Sequence, residues 1–177
     1  MIYSRIITED NTFDEIIEKL DLEKKTEFAF YDLIYLNKNG TSITEDTLKI
    51  RVYQKNEWKN KNVLVIQKTA PIINGVKEDK VLLREEFDTE KEATNFVEKN
   101  LSNNYEYKFK LEKTGTEYGN ENLRLWVENI KDIGTSIEIG SNNQKTIENA
   151  ISLFKVKERL KESVPEYLYK LYFNKEK

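Results

Sequence analysis

The feature that most constrains this chain is a regular alternation of apolar and charged side chains along successive short segments. In the segment LKIRVY, Leu48, Ile50 and Val52 alternate with Lys49 and Arg51. Because neighbouring side chains of a β-strand point to opposite faces, this segment predicts a strand with one apolar and one charged face. The same alternation recurs in four later segments, at residues 82–88, 107–111, 123–129 and 135–140.

The charged faces can be interpreted in two ways. An antiparallel sheet can pack its apolar face on a core and leave its charged face in water. Alternatively, about eight strands can close into a barrel whose interior holds side chains or one small ligand. Charges inside a barrel would need partners, and a polyphosphate with Mg²⁺ would satisfy both the cations and the carboxylates. The alternation by itself leaves both interpretations open.

The pattern as a whole predicts about eight strands, among them residues 105–113 and 123–130, and a few helices. A first strand is expected at residues 2–8, and the following helix is expected to have Thr12 as its cap and Glu15 completing a capping box. Thr89 is expected to cap a second helix. Together these features predict an α+β fold in which an antiparallel sheet or barrel has helices packed outside it.

The end of the chain and its connections complete this outline. A helical pattern extends over about residues 146–173, and Pro165 is expected to divide it into two helices. Because there are only two prolines and no low-complexity linker, we expect residues 1–177 to form a single domain. Turns or polar loops are expected at residues 37–41, 55–61 and 115–120.

Composition excludes several kinds of site. The chain contains no cysteine and no histidine, which excludes thiol nucleophiles, zinc–thiolate sites, Ser-His-Asp triads and histidine-bound metals. Any metal would need oxygen ligands, which favours magnesium, manganese or calcium. The net charge is only −3 although 34% of residues are charged, so no general attraction to nucleic acid or membranes is expected. No apolar run is long enough to span a bilayer and no leader-like segment follows Met1, so a cytoplasmic location is expected.

The order of the motifs resembles one known family, the CYTH superfamily or triphosphate tunnel metalloenzymes. This family includes class IV adenylyl cyclases, thiamine triphosphatases and inorganic triphosphatases. The resemblance covers most of the chain. LKIRVY is similar to the family's LRIR, FYDLIYL to DxYF, VLVIQK to LTxK, LLREEFD to RxExE, KFK to KxR, VENIKDIGTSIEIG to LDxVxxLGxFxEIE, and ESVPEYLYKLYF to SYxELL.

This resemblance implies an antiparallel eight-stranded tunnel with helices outside it, which binds a triphosphate or polyphosphate small molecule together with Mg²⁺ or Mn²⁺. It implies no nucleic-acid or membrane partner. The metal ligands that it implies are Glu128, Glu138 and Glu86. The triphosphate ligands that it implies are Lys49, Arg51, Lys68, Arg84, Lys108, Lys110 and Arg124.

The sequence departs from the family pattern at both ends of the metal motif. The family's N-terminal ExExK strand is replaced by IYSRIIT, in which only Arg5 could take the place of the lysine. The last glutamate of the EIE motif is replaced by Gly140. Three hypotheses therefore stay open: a metal-dependent triphosphatase or adenylyl cyclase, a protein that binds polyphosphate or a nucleotide without efficient turnover, and a structural or interaction protein. No catalytic residue is assigned.

Overall fold

A computed structural model of the 177-residue chain describes residues 1–10, 12–39, 46–56, 62–69, 72–73, 76–77 and 80–173. It confirms the predicted α+β class, with antiparallel strands and four helices. The helices are α1 (Asp14–Lys19), α2 (Glu90–Asn100), α3 (Gln144–Ile151) and α4 (Val164–Phe173). The strands are β1 (Ile2–Thr8), β2 (Glu23–Asn37), β3 (Thr47–Asn56), β4 (Val63–Thr69), β5 (Ile72–Ile73), β6 (Val76–Lys77), β7 (Lys80–Phe87), β8 (Tyr105–Gly119), β9 (Leu123–Ile130), β10 (Gly134–Ser141) and β11 (Val156–Arg159).

Residues 1–27, 72–78 and 113–161 form a first compact unit. Its strands follow the order β5-β6-β1-β10-β9-β8, and β11 also pairs with β1. The apolar face of β1, β9 and β10 packs against α1 and α3, which buries the strand residues that the alternation predicts to be apolar. The buried members of this core are Ile6, Leu22, Leu123, Leu125, Ile137, Ile139, Ile147, Ala150 and Phe154.

Residues 28–71, 79–112 and 162–177 form the second compact unit. Its strands follow the order β8-β2-β3-β4-β7. The apolar face of β3 and β4 packs against α2, and the ring of Phe109 on β8 lies 5.5 Å from that of Tyr172 on α4. The buried members of the core under α2 are Tyr35, Leu48, Ile50, Val63, Val65, Ala93, Val97 and Tyr105.

The two predicted helix caps have different outcomes. At α2 the prediction is confirmed, because the Thr89 side chain accepts a hydrogen bond from the Glu92 backbone and the Glu92 side chain accepts one from the Thr89 backbone. At α1 the prediction is wrong, because the helix begins at Asp14 and its cap residue is Phe13, with no side-chain cap bond. Thr12 therefore lies one residue too early to serve as the cap.

The predicted helical pattern over residues 146–173 is also wrong in its middle. There β11 forms and pairs with β1, and the Leu160 backbone N–H donates to the Arg5 carbonyl at 3.0 Å. This extended pairing satisfies backbone groups on the edge of β1 that would otherwise lack partners. Pro165 does not divide a helix but lies in the first turn of α4, where a missing N–H costs nothing.

The turn predicted at residues 115–120 lies almost entirely within β8, which continues to Gly119. The connection begins only at Asn120, whose side-chain oxygen accepts hydrogen bonds from the backbone N–H groups of Asn122 and Leu123, both at 2.9 Å. An Asn side chain that bonds its own backbone in this way specifies a tight turn.

Eleven strands are described in place of the eight expected, because β5, β6 and β11 add to those predicted. Closure of the strands into a barrel and the single-domain organisation stay predictions. Of the expected turns and loops, residues 40–41 and 57–61 lie outside the described ranges. No helix within the described ranges is long and apolar enough to cross a membrane.

Candidate functional site: two charged strand faces

Five of the predicted site residues lie on one face of the second unit. Directly opposed residues of antiparallel strands share a face, so the register identifies which side chains lie together. We call this surface the cationic face and define it by Asp32, Lys49, Arg51, Lys68, Arg84 and Glu86. The opposed residues form the rows Asp32–Arg51–Leu64–Glu86, Ile34–Lys49–Ile66–Arg84 and Thr47–Lys68.

Asp32 organises the buried end of the cationic face. Arg51 donates from Nε and Nη2 to the two carboxylate oxygens of Asp32, at 2.7 and 2.8 Å. Lys49 Nζ lies 3.3 Å from Asp32 Oδ2, and the Asp32 side chain is only 1% exposed. Two cationic side chains from one strand therefore share one buried carboxylate.

Arg51 is held as a charged group. Burial by itself would lower the pKa of its guanidinium, but the Asp32 carboxylate raises that pKa above its ordinary value. The guanidinium also lies over the ring of Phe30, with 3.7 Å from Cζ to the ring centroid, which is a favourable cation–π geometry. Arg51 therefore keeps its positive charge in a fixed orientation.

The other end of the cationic face is open to water. Lys68 is partly buried on β4, whereas the side chains of Arg84 and Glu86 on β7 are 47% and 43% exposed. Arg84 Nη2 lies 3.8 Å from Glu86 Oε1, which is a loose ion pair. Arg84 is two strands away from Lys49 along one row, a separation of about 10 Å.

The cationic face carries an excess of positive charge. Its four cationic side chains and two carboxylates give 4 − 2 = +2. The chain as a whole has a net charge of −3, so this face differs in sign from the rest of the molecule.

The first unit carries the two remaining acidic predictions, Glu128 and Glu138, and one cationic prediction, Arg124. We call this surface the balanced face and define it by Arg5, Lys113, Glu117, Arg124, Glu128 and Glu138. It has three cationic and three anionic side chains, so the net charge of these six residues is 3 − 3 = 0. The opposed residues form the rows Glu117–Trp126–Glu138–Arg5, Gly115–Glu128–Ser136–Ile7 and Gly119–Arg124–Gly140–Tyr3.

Arg5 lies between the two carboxylates that the family resemblance assigns to metal. Its Nη1 donates to Glu128 and, at 2.9 Å, to the hydroxyl of Ser136, while its Nη2 lies 2.9 Å from Glu138 Oε2. Lys113 Nζ also donates to Glu128, at 3.2 Å. The side chains of Arg5, Lys113 and Glu128 are each less than 10% exposed, so this is a buried ion-pair network.

These cations keep Glu128 ionised. Burial would raise the pKa of its carboxyl, but Arg5 and Lys113 together hold that pKa below its ordinary value of 4.5. At the outer end of the same face, Arg124 Nη1 donates to Glu117 at 2.7 Å. Each cationic side chain of the balanced face thus contacts a carboxylate of that face.

The family's missing glutamates are replaced by a packed aromatic contact. Tyr3 lies opposite Gly140 in the register of β1 and β10. A Cβ atom at Gly140 would lie 3.0 Å from carbons of the Tyr3 ring, closer than side chains normally approach. The Tyr3 ring also packs against Trp126, with 5.9 Å between centroids. The glycine therefore makes room for an aromatic ring where the resemblance predicts carboxylates.

The residues present do not fit the expected divalent metal. Within the described ranges, no group of three or more Asp or Glu side chains is placed to hold an ion. Glu128 and Glu138 contact Arg5, and Glu86 belongs to the other unit and contacts Arg84. Mg²⁺ requires near-octahedral oxygen coordination, and this arrangement offers it guanidinium groups instead.

Two predicted triphosphate ligands are not among the residues that the register brings together. Lys108 donates to Glu106 at 2.7 Å, and Lys110 lies 3.2 Å from Glu112. Lys110 also lies over the ring of Tyr31, which alternates with Asp32 along β2 and so belongs to the opposite face. We therefore leave both lysines out of the cationic face.

The fold is similar to that of several solved structures. The PH1819 protein from Pyrococcus horikoshii matches with a TM-score of 0.74 at 16% identity, covering 96% of this chain and 98% of that one. A candidate adenylate cyclase from Vibrio parahaemolyticus matches with a TM-score of 0.63 at 15% identity, covering 94% of this chain and 95% of that one. A candidate adenylyl cyclase from Hippeastrum matches with a TM-score of 0.59 at 14% identity, covering 85% of this chain and 84% of that one. That protein has a dominant triphosphatase activity.

This chain shares their fold. No protein-family model matches it, and no curated protein is similar to it in sequence. At these identities the likeness concerns the fold alone. It supports the architecture expected from the motif order and leaves activity and ligand to the residues themselves.

Several residues of the two faces were not predicted. Asp32 interrupts an apolar strand, and such an isolated carboxylate is a signal that a cation lies opposite it. Lys113 is the last residue of the strand predicted over residues 105–113, and Glu117 lies in the predicted turn. The pairing of Arg5 with Glu128 joins residues 123 positions apart, so alternation along single strands could not reveal it.

Proposed function

We propose that this chain is a divergent CYTH protein that binds a small molecule carrying a triphosphate or polyphosphate group on its cationic face. The single observation that carries this proposal is the excess of positive charge there, on side chains that adjacent strands place on one face. Phosphate oxygens form strong charge-assisted hydrogen bonds with arginine and lysine. The fold shared with candidate adenylyl cyclases supports the same class of ligand.

The ligand would lie along the face from the buried β3 cations to the exposed Arg84. Lys49 and Arg51 are held in place by Asp32, so they provide a fixed charge at one end. Arg84 is exposed and only loosely paired with Glu86, so it is available to close on the other end of an extended anion. Arg84 has a planar fork of donors that matches phosphate oxygens, a geometry that lysine lacks.

Binding without efficient turnover is the form of this function that the residues favour. The chain has no histidine to act as a base, and its metal-site carboxylates contact cationic side chains instead. Hydrolysis and cyclisation of a triphosphate both develop charge that a metal usually stabilises. We therefore expect ATP, thiamine triphosphate or tripolyphosphate to bind and to persist.

The test is a thermal-shift series with these three compounds, with EDTA and separately with Mg²⁺ or Mn²⁺. Because a ligand that binds only the folded state raises its melting temperature, a concentration-dependent shift in EDTA would support the proposal. Phosphate, pyrophosphate and cyclic AMP are measured in parallel. Product formation that requires metal would favour the triphosphatase or cyclase hypothesis, and no shift with any compound would favour the structural one.

The chain offers a matched pair of variants for this test. Arg84→Ala and Lys110→Ala each remove an exposed cation that is paired with a nearby glutamate, but only Arg84 lies on the cationic face. We expect Arg84→Ala to weaken binding about tenfold or more, since a hydrogen bond to a charged group contributes about 1.5 kcal/mol or more. Lys110→Ala should bind as the wild type does. Equal losses in both variants would contradict a site on this face.

A further inference from the structure

The balanced face contains a cation between two of the carboxylates that the CYTH resemblance assigns to a metal ion. The Arg5 guanidinium lies between Glu128 and Glu138 and bonds to both, so it bridges the two carboxylates as a divalent ion would. Ser136 has no carboxylate, but its hydroxyl accepts a further hydrogen bond from Arg5 at 2.9 Å. These three acceptors of Arg5 are oxygens, the kind of atom that could otherwise bind a metal cation.

The charges of this network balance, because Arg5 and Lys113 stand against Glu128 and Glu138. A buried carboxylate must be paired, and the buried Glu128 is paired by Arg5 and Lys113, while Arg5 also pairs the partly buried Glu138. Adding a divalent ion to this network would bring its charge within a few ångströms of the guanidinium. Like charges at such separations repel strongly where water is excluded.

Two neighbouring positions, Tyr3 and Gly140, also differ from the family's metal-binding pattern. Tyr3 lies two residues before Arg5 on the same strand face, and its ring packs over Gly140. The aromatic ring thus lies where the resemblance calls for further carboxylates, so the face has fewer possible metal ligands than the family pattern, while Arg5 takes the place of that pattern's lysine.

We propose that Arg5 serves as a built-in replacement for the divalent metal, and that it prevents Mg²⁺ or Mn²⁺ from binding to Glu128 and Glu138. This goes beyond phosphate binding, because it concerns the first unit and can be tested with metal alone. It predicts that the folded protein needs no divalent ion and that removing the Arg5 charge creates affinity for one.

The test is a Mn²⁺ titration followed by electron paramagnetic resonance, which reports the free ion, together with thermal unfolding in Mn²⁺ and in EDTA. Wild-type protein should leave the free-ion signal unchanged and should unfold at the same temperature in both. Arg5→Gln should lower the unfolding temperature in EDTA, because the buried Glu128 and the partly buried Glu138 lose their shared partner. Mn²⁺ should restore it, with binding at least about tenfold tighter than in the wild type.

Two further variants define the outcome. Arg159→Gln removes another arginine of the first unit, which is paired with Glu148, and it should gain no Mn²⁺ binding. Combining Arg5→Gln with Glu138→Gln should abolish the Mn²⁺ binding that Arg5→Gln creates. Mn²⁺ binding to the wild type that Glu138→Gln removes would overturn the proposal. An Arg5→Gln protein that gains no Mn²⁺ binding would also overturn the proposal, whether or not that variant folds.

Discussion

Asp32 is the residue on which the buried end of the cationic face depends. It holds both Lys49 and Arg51, so its carboxylate fixes the two charges that we propose to meet the ligand. The same carboxylate also competes with a bound anion for their donors. Stability and anion affinity should therefore respond to Asp32 in opposite directions.

Replacing Asp32 with asparagine tests this opposition. Asp32→Asn leaves two buried or half-buried cations without their carboxylate, which should cost about 3–5 kcal/mol of unfolding free energy. The same change should increase the melting-temperature shift caused by tripolyphosphate. Urea unfolding and thermal shift measure the two effects, and Glu106→Gln, which alters an exposed carboxylate paired with Lys108, is the control. A smaller ligand-induced shift in Asp32→Asn than in wild type would contradict this role.

The ionised state of Glu128 predicts a pH dependence of stability. Since the pKa of Glu128 is lowered in the folded protein, the unfolded chain binds its proton more readily. Its contribution to stability is therefore present above its ordinary value of 4.5 and is lost as the pH falls below that value towards the folded pKa. The difference in unfolding free energy between wild type and Glu128→Gln should be large at neutral pH and should narrow in acid. A difference that stays constant with pH would show that the Arg5 network does not stabilise the ionised form.

At the scale of single elements, the alternation of side chains predicted most strands well. The helical patterns and cap residues predicted the helices less accurately. β1 and β9 have the predicted bounds, because period-two alternation is a strong signal over seven or eight residues. β11 was missed since four residues are too few to distinguish extended from helical periodicity. The continuation of β8 through Gly115 and Gly119 was missed because two glycines close together ordinarily indicate a turn.

The two threonines that were predicted to cap helices, Thr12 and Thr89, give a matched test of helix ends. Thr89→Ala removes the cap of α2 and should cost about 1 kcal/mol of unfolding free energy. Thr12→Ala should cost almost nothing, because Thr12 makes no cap bond to α1. Chemical denaturation of both variants measures the two values. Equal losses of unfolding free energy in the two variants would mean that the Thr89 cap bond adds nothing to the stability of the protein.

For the whole molecule, the sequence predicted the α+β class and which charged side chains share a strand face. It did not predict which charges neutralise each other, because pairing depends on strand register between segments far apart in the chain. Register is what separates the cationic face, with its excess of positive charge, from the balanced face around Arg5. The motif order pointed to both faces alike, whereas among the residues that define them the cationic face has more cations than carboxylates and the balanced face has equal numbers.

The central claim is that the cationic face binds polyphosphate without the help of a divalent ion. Isothermal titration calorimetry of tripolyphosphate into the EDTA-treated protein tests it most directly, with Arg84→Ala and Lys110→Ala titrated alongside. We predict saturable binding to the wild type and to Lys110→Ala, and binding about tenfold weaker to Arg84→Ala. Absence of binding in EDTA, with binding that appears only when Mg²⁺ or Mn²⁺ is added, would contradict the claim.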